Sequence, residues 1–155
     1  MGHWDKVNII SAVSTDQRLH FRLKVGEAFH NGDFVSFLKH MLHHVEGRLV
    51  VFVDGGGLHK GEEFYVFLAE NQDRLRVEPL PPYGFEYNPD EGVWGYLKGV
   101  ELRSFAPRNT PELVARLRKG LGKMRRRPRL IGSFFRKSKL PRADVELLLN
   151  RPGRR

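Results

Sequence analysis

Cysteine is absent from the 155-residue sequence. Without thiols, the chain has no disulfide framework, no cysteine-ligated zinc ribbon and no thiol nucleophile. Long apolar runs are absent as well, since no stretch approaches the about 20 residues that a membrane helix requires. The first residues, MGHWDK, also lack the basic start and long apolar run of a signal peptide. These absences predict a cytoplasmic protein with no membrane contact.

Acidic residues are scarce toward the C-terminus. Residues 116–155 contain 15 Lys+Arg and only 2 Asp+Glu, so the net charge of +9 combines a strongly basic segment with a mildly acidic body. This asymmetry is typical of proteins with a polyanionic partner and favours contact with nucleic acid. The alternative interpretation is a solvated, poorly ordered tail.

The remaining composition is that of a soluble globular domain, with 40% hydrophobic and 29% charged residues. Apolar residues predict strands at 7–13, 19–25, 49–53 and 75–80, and the first two form a hairpin. The unbroken apolar run at 49–53 is typical of a strand that is covered on both faces.

Helices are predicted between and after these strands. Asp33 is a candidate N-cap for a helix that continues to Val45, and further helices cover 62–70, the region after Asn88, and 110–121. Beyond Met124 the chain reads as basic and irregular, with a short helix near 143–149. The order of elements predicts an α/β fold with a mixed sheet and a right-handed parallel βαβ unit across 49–80.

Two carboxylates lie at positions where catalytic residues are common in α/β folds, near the carboxyl ends of strands. Asp54 ends the buried strand at 49–53, and Glu91 begins the helix that follows the next strand. If these strands are neighbours, both side chains converge at one edge of the sheet, where hard oxygen ligands suit Mg²⁺. The alternatives are that Asp54 is a turn residue before three glycines, and that Glu91 is the N3 partner of an Asn88 cap.

Histidines offer a second candidate metal site. His40, His43 and His44 lie on the predicted helix at spacings that bring them near one another. We favour a solvated helix face over a metal site here.

Two sequence blocks carry a family signature. The first is LVVFVDGGGLHK at 49–60, and the second combines LPPY at 80–83 with NPDEGVWGYLK at 88–98, leaving 36 residues between the two acids. These blocks resemble the core of DDE superfamily endonucleases, and more narrowly the insertion-sequence transposases related to the Tc/mariner group. The opening GHWDKV is similar to the segment that follows the first catalytic strand of that family. The resemblance spans about residues 2 to 120.

The resemblance implies a ribonuclease-H-like fold, in which a mixed sheet has flanking helices. It assigns Asp54 as the second catalytic acid and Glu91 as the third, and both as ligands of Mg²⁺ or Mn²⁺. His59 would lie near the active site, with a surface histidine as the alternative. Trp94 and Leu97 are interpreted as core residues.

The match also has gaps. Residues 84–87, GFEY, replace the Ser/Ala-Pro-x-Leu that commonly follows Pro-Pro-Tyr in the family. The family's first Asp lies upstream of the Gly-His-Trp segment, and neither Asp5 nor Asp16 fits its role. The resemblance places the missing strand between those at 7–13 and 49–53. We therefore expect a truncated or decayed element, or half of a split reading frame, that is inactive alone.

We divide the chain into a partial catalytic domain, residues 1–122, and a basic C-terminal tail, residues 123–155. Phe134 and Phe135, within that tail, are interpreted as core residues rather than as a base-stacking surface. The cationic side chains expected to contact DNA are Lys98, Arg125, Arg126, Arg127, Arg129, Arg136, Lys137 and Lys139.

Three functions are compatible with the sequence. The leading hypothesis is a fragment of a transposase catalytic domain, whose intact form cuts DNA and transfers strands in DNA transposition and integration. The second is a noncatalytic DNA-binding remnant that acts through the basic tail, and the third is a self-sufficient metal nuclease that recruits another acid. The expected partners are DNA (transposon ends and target) and either an upstream transposase half or a second copy of the chain.

Overall fold

The computed structural model describes residues 5–54, 60–82 and 84–140. Its strands and helices confirm the predicted α/β order. They are β1 (Val7–Val13), β2 (Leu19–Val25), α1 (Asn31–His44), β3 (Leu49–Val53), α2 (Glu62–Glu70), β4 (Leu75–Pro79), a 3₁₀ turn (Phe85–Tyr87), α3 (Asp90–Tyr96), a π-helix (Leu97–Glu101), α4 (Thr110–Arg125) and α5 (Pro128–Lys137).

The chain forms two compact units. The first unit consists of Met1–Ala28 and Pro89–Lys139, and the second of Phe29–Asn88 and Leu140–Arg155. In the described residues the strands pair as two separate two-stranded sheets, β1 with β2 and β3 with β4. The single mixed sheet predicted from the sequence is therefore not confirmed.

In the first unit, α3 and α4 pack on an antiparallel hairpin, and α5 packs on both of these helices. β1 and β2 pair with Val7 opposite Val25 and Val13 opposite Leu19. Asn109 caps α4 by accepting a hydrogen bond from the Glu112 amide at 2.9 Å, as side chains of this type commonly do at helix starts. The buried core consists of Leu19, Val93, Leu97, Leu117, Leu121, Met124, Ile131 and Phe134.

The second unit is built on the predicted βαβ unit. β3 and β4 are parallel, with Leu49 opposite Leu75 and Val53 opposite Pro79, and α2 connects them. Within this unit, Arg74 binds the C-terminal end of α1. Its guanidinium donates to the carbonyl oxygens of Leu42 at 3.2 Å and Val45 at 2.8 Å. Parallel pairing brings the carboxyl ends of both strands to one edge.

Two local predictions are wrong. Asp33 is not the N-cap of α1: that residue is His30, and Asp33 lies at N3, where its carboxylate accepts a hydrogen bond from the His30 amide at 2.7 Å. The chain after Met124 is not irregular either, because α4 continues to Arg125 and α5 follows. The boundary drawn between residues 122 and 123 falls inside α4, while the helix expected at 143–149 lies outside the described residues.

Among the residues that the structure describes, none of the helices combines the length and the apolar character needed to cross a membrane.

Gly92 permits the close packing of α5 on α3. A Cβ at Gly92 would lie 2.4 Å from Cδ1 of Phe134, whereas a Cβ at Gly95 on the same helix would meet nothing within 4 Å. The Phe134 ring is 6% exposed, so it has little room to move. Overpacking of this kind costs about 1–3 kcal/mol, whereas Ala in an open helix position gains about 0.5–1 kcal/mol over Gly.

We therefore expect Gly92→Ala to lower the free energy of unfolding and Gly95→Ala to raise it slightly. Urea unfolding followed by tryptophan fluorescence measures both. Equal midpoints for the two variants would contradict the packing of α5 on α3.

Candidate active site

Asp54 lies at the carboxyl end of a parallel strand, as predicted. It directly follows Val53, the last residue of β3, and it is exposed. The Val53 carbonyl accepts a hydrogen bond from the Leu80 amide at 2.7 Å, which fixes the chain at this end of the strand. An exposed carboxylate at this position is placed for ligand binding.

Glu91 lies in the first turn of α3 and is exposed. The N-cap of this helix is Pro89, which makes no side-chain cap hydrogen bond, and the Gly92 amide donates to the Pro89 carbonyl oxygen at 3.0 Å. With Pro89 as the N-cap, Glu91 lies at N2 and not at the N3 position that the Asn88 capping alternative assigned to it. The helix N-terminus favours a carboxylate electrostatically.

The two acids belong to different units, Asp54 to the second and Glu91 to the first. Their convergence on one metal site stays a prediction. As a donor set they fit Mg²⁺ or Mn²⁺, because Mg²⁺ takes hard oxygen ligands and is usually held by one or two carboxylates plus substrate phosphates. In residues 5–54, 60–82 and 84–140, no group of three or more His, Cys, Asp or Glu side chains could hold a metal by itself. His59 lies outside those ranges.

Asp90 connects α3 to β1, a feature that the sequence analysis missed. One of its carboxylate oxygens, Oδ2, accepts a hydrogen bond from Ser11 Oγ at 2.6 Å and another from Trp94 Nε1 at 3.2 Å. Hydrogen bonds to a charged group contribute about 1.5–3 kcal/mol each. The four-residue spacing of Asp90 and Trp94 is a signal that the sequence does contain, since such residues are neighbours on a helix.

α3 continues into a π-helix that carries Lys98. Leu97 is 2% exposed, which confirms its predicted core position, while Trp94 packs against the core only partly buried. Lys98 is exposed and therefore accessible to a partner. Glu101 ends the π-helix and is only 9% exposed, and its carboxylate pairs with Lys123 at 3.8 Å.

The end of α4 and α5 form a basic surface, which we define as Arg125, Arg126, Arg127, Arg129, Arg136 and Lys137, all exposed. Beneath it, Ile131 and Phe134 are buried, which confirms the predicted core role of Phe134, whereas Phe135 is only half-buried. Lys139, also exposed, follows α5.

Two arginines of the basic surface make cation–π contacts with aromatic rings. The Arg125 guanidinium lies 5.2 Å from the ring centre of Phe21. The Arg127 guanidinium lies 5.9 Å from the ring centre of Tyr96 and donates to its hydroxyl oxygen at 2.6 Å. Such contacts restrict the motion of a guanidinium, so less conformational entropy is lost when its N–H groups bind a phosphate.

The histidines of α1 lie on an exposed face, as favoured from the sequence. The ring centres of His40 and His44 are 4.2 Å apart, and those of His43 and His44 are 5.1 Å apart. Within the described residues they do not form a group that could hold a metal.

The profile of the DDE superfamily endonuclease family matches residues 1–112. This match covers more than half of the sequence and includes both Asp54 and Glu91, so the chain belongs to that family. No curated protein sequence matches the chain at a significant level.

A partial structural alignment is found with the cryo-EM structure of the simian T-cell lymphotropic virus intasome in complex with PP2A regulatory subunit B56 gamma. One of its chains aligns with 17% sequence identity and a TM-score of 0.48, over 75% of this chain. The alignment covers 46% of that chain, so the present sequence spans less than half of its length.

Proposed function

We propose that these 155 residues form part of a transposase catalytic domain that cuts DNA and transfers its strands. The observation that carries the proposal is the position of the two family acids. Asp54 follows a parallel strand and Glu91 lies in the first turn of a helix, both exposed, within the range that matches the endonuclease family.

In this proposal Asp54 and Glu91 bind Mg²⁺ or Mn²⁺. A divalent metal supplies charge that activates a water or a 3′-hydroxyl and stabilises the leaving oxygen. The chain contributes the two carboxylates, and a further carboxylate comes from outside these residues, from an upstream transposase half or a second copy of the chain.

The basic surface, with Lys98 and Lys139, binds the DNA backbone in this proposal. Phosphate contacts of this kind position the duplex but do not read its sequence. Because Arg125 and Arg127 contact aromatic rings of the first unit, their motion is restricted before a strand binds. Transposon ends and target DNA would both be held by such contacts.

Metal affinity tests the proposed acids directly. Asp54→Asn and Glu91→Gln remove the charge of each carboxylate and preserve its size. We expect each to weaken Mn²⁺ binding at least about tenfold, because substitution of residues that merely hydrogen-bond to metal ligands already lowers metal affinity about 10–100-fold. The EPR signal of unbound Mn²⁺ measures the affinity.

Asp73→Asn and Glu70→Gln are the matched controls, because both side chains are exposed and belong to neither family motif. If the controls weaken binding as much as the two family acids do, Mn²⁺ binds by general surface charge and the site assignment is wrong.

A noncatalytic DNA-binding remnant is the second candidate, favoured by the packed basic surface. It differs from the first in one observable: its DNA affinity does not depend on divalent metal, and substitutions of Asp54 and Glu91 leave its DNA binding unchanged.

A further inference from the structure

Asp90 fastens the first turn of α3 to the middle of β1. Ser11 Oγ donates to Asp90 Oδ2 at 2.6 Å, within the range of a short hydrogen bond to a charged carboxylate. Trp94 Nε1 donates to the same oxygen at 3.2 Å from one turn further along the helix. One carboxylate oxygen thus connects a strand and two turns of α3.

Other contacts also hold the first turn of α3. The Gly92 amide donates to the Pro89 carbonyl oxygen, and Gly92 packs closely against the buried Phe134. Further along, the buried Val93 and Leu97 hold the helix in the core. At its beginning, the bond between Ser11 and Asp90 adds a polar contact that holds the Asp90 side chain against β1.

The position of Asp90 also determines the direction of the Glu91 side chain, because both lie on the same helix. Successive side chains are rotated by about 100° around the axis. With Asp90 held against β1, Glu91 is directed away from the strand, in agreement with its exposure.

We propose that Asp90 is a positioning residue, which holds the Glu91 carboxylate in its metal-binding orientation through the hydrogen bond from Ser11. This inference rests on the proposed function, because it requires Glu91 to be a metal ligand. In this proposal Asp90 acts through Glu91, because its Oδ2 accepts hydrogen bonds from Ser11 and Trp94 while its Oδ1 is buried. Direct binding of the metal by Asp90 is the competing outcome of the test.

The test compares the Mn²⁺ affinities of Ser11→Ala, Asp90→Ala, the double variant and Asp90→Asn, with Glu91→Gln marking loss of the site. We expect Ser11→Ala and Asp90→Ala each to weaken binding about tenfold or more, the usual effect of losing a group that orients a ligand. The double variant should bind no more weakly than Asp90→Ala alone. Asp90→Asn should stay close to the wild-type chain, because its amide oxygen still accepts from Ser11.

Each contrary result has a distinct meaning. If Asp90→Asn loses as much affinity as Asp90→Ala while Ser11→Ala loses none, Asp90 is a metal ligand and the positioning role is overturned. If Ser11→Ala and Asp90→Ala lower the melting temperature but leave Mn²⁺ affinity unchanged while Glu91→Gln abolishes it, the contact is only structural and the proposal is again overturned. If Glu91→Gln binds Mn²⁺ like the wild-type chain, the proposed function itself fails. Should Asp90→Ala not fold, Ser11→Ala, which removes one hydroxyl group, decides alone.

Discussion

A variant that loses four cations of the basic surface should bind duplex DNA roughly 10³-fold more weakly than the wild-type chain at 100 mM salt, if all four contact phosphates. Each phosphate contact releases condensed counterions and contributes about −0.9 to the slope of log K against log salt. The substitutions are Arg126→Gln, Arg129→Gln, Arg136→Gln and Lys137→Gln.

The salt dependence gives the sharper readout. The slope should become less steep by about 3.6, and the wild-type chain should lose at least about 10³-fold in affinity between 50 and 200 mM salt if it contacts six or more phosphates. Fluorescence anisotropy with a labelled duplex, over a series of salt concentrations, measures both quantities.

A matched control removes the same charge elsewhere. Its substitutions are Lys6→Gln, Arg48→Gln, Arg103→Gln and Arg108→Gln, all at exposed positions. If both quadruple variants lose equal affinity, only the net charge matters and the basic surface is no specific site.

Substitution is a cleaner test than deletion of residues 123–155. That deletion would remove Met124, Ile131 and Phe134, which are at most 6% exposed, from the core of the first unit. Loss of DNA binding would then follow from loss of packing as readily as from loss of charge.

The second large effect is an absence of activity. The 155-residue chain by itself should not nick supercoiled plasmid above the metal-free background with Mg²⁺ or Mn²⁺. Two carboxylates are too few to hold a pair of metals about 3.5–4 Å apart. Agarose gel electrophoresis of the plasmid after incubation measures nicking.

Metal-dependent nicking that Asp54→Ala abolishes would contradict the need for a further carboxylate. It would favour the self-sufficient nuclease, in which another acid of this chain completes the site. Nicking that survives Asp54→Ala would point to a contaminating nuclease, and the experiment would then be repeated with repurified chain.

Local sequence patterns were enough to predict most elements. The mostly apolar run of β1, the alternation in β2 and the valine-rich run of β3 predict these strands from nearby residues, and Asp54 could be placed at the end of β3 and Glu91 at the start of a helix. α5 was missed because its many cations obscured an ordinary helix signal, with Pro128 at the start and Ile131 and Phe134 three residues apart on one face.

Contacts between distant residues could not be predicted in this way. Ser11 and Asp90 are 79 positions apart, and nothing in either local pattern indicates that they meet. The collision that a side chain at Gly92 would make with Phe134 is likewise a property of packing. The pairing of strands into two sheets depends on which strand edges meet, a tertiary choice that periodicity does not encode.

A crystal structure of the chain in Mn²⁺ tests most directly whether Asp54 and Glu91 bind the same metal, as we propose. Anomalous scattering at the manganese edge locates the ion without reference to the protein coordinates. The account predicts a peak within coordination distance of both carboxylates, which is lost in Glu91→Gln. Carboxylates on opposite faces of the protein, with no manganese between them, would contradict it and leave Asp54 a turn residue and Glu91 a solvated helix residue.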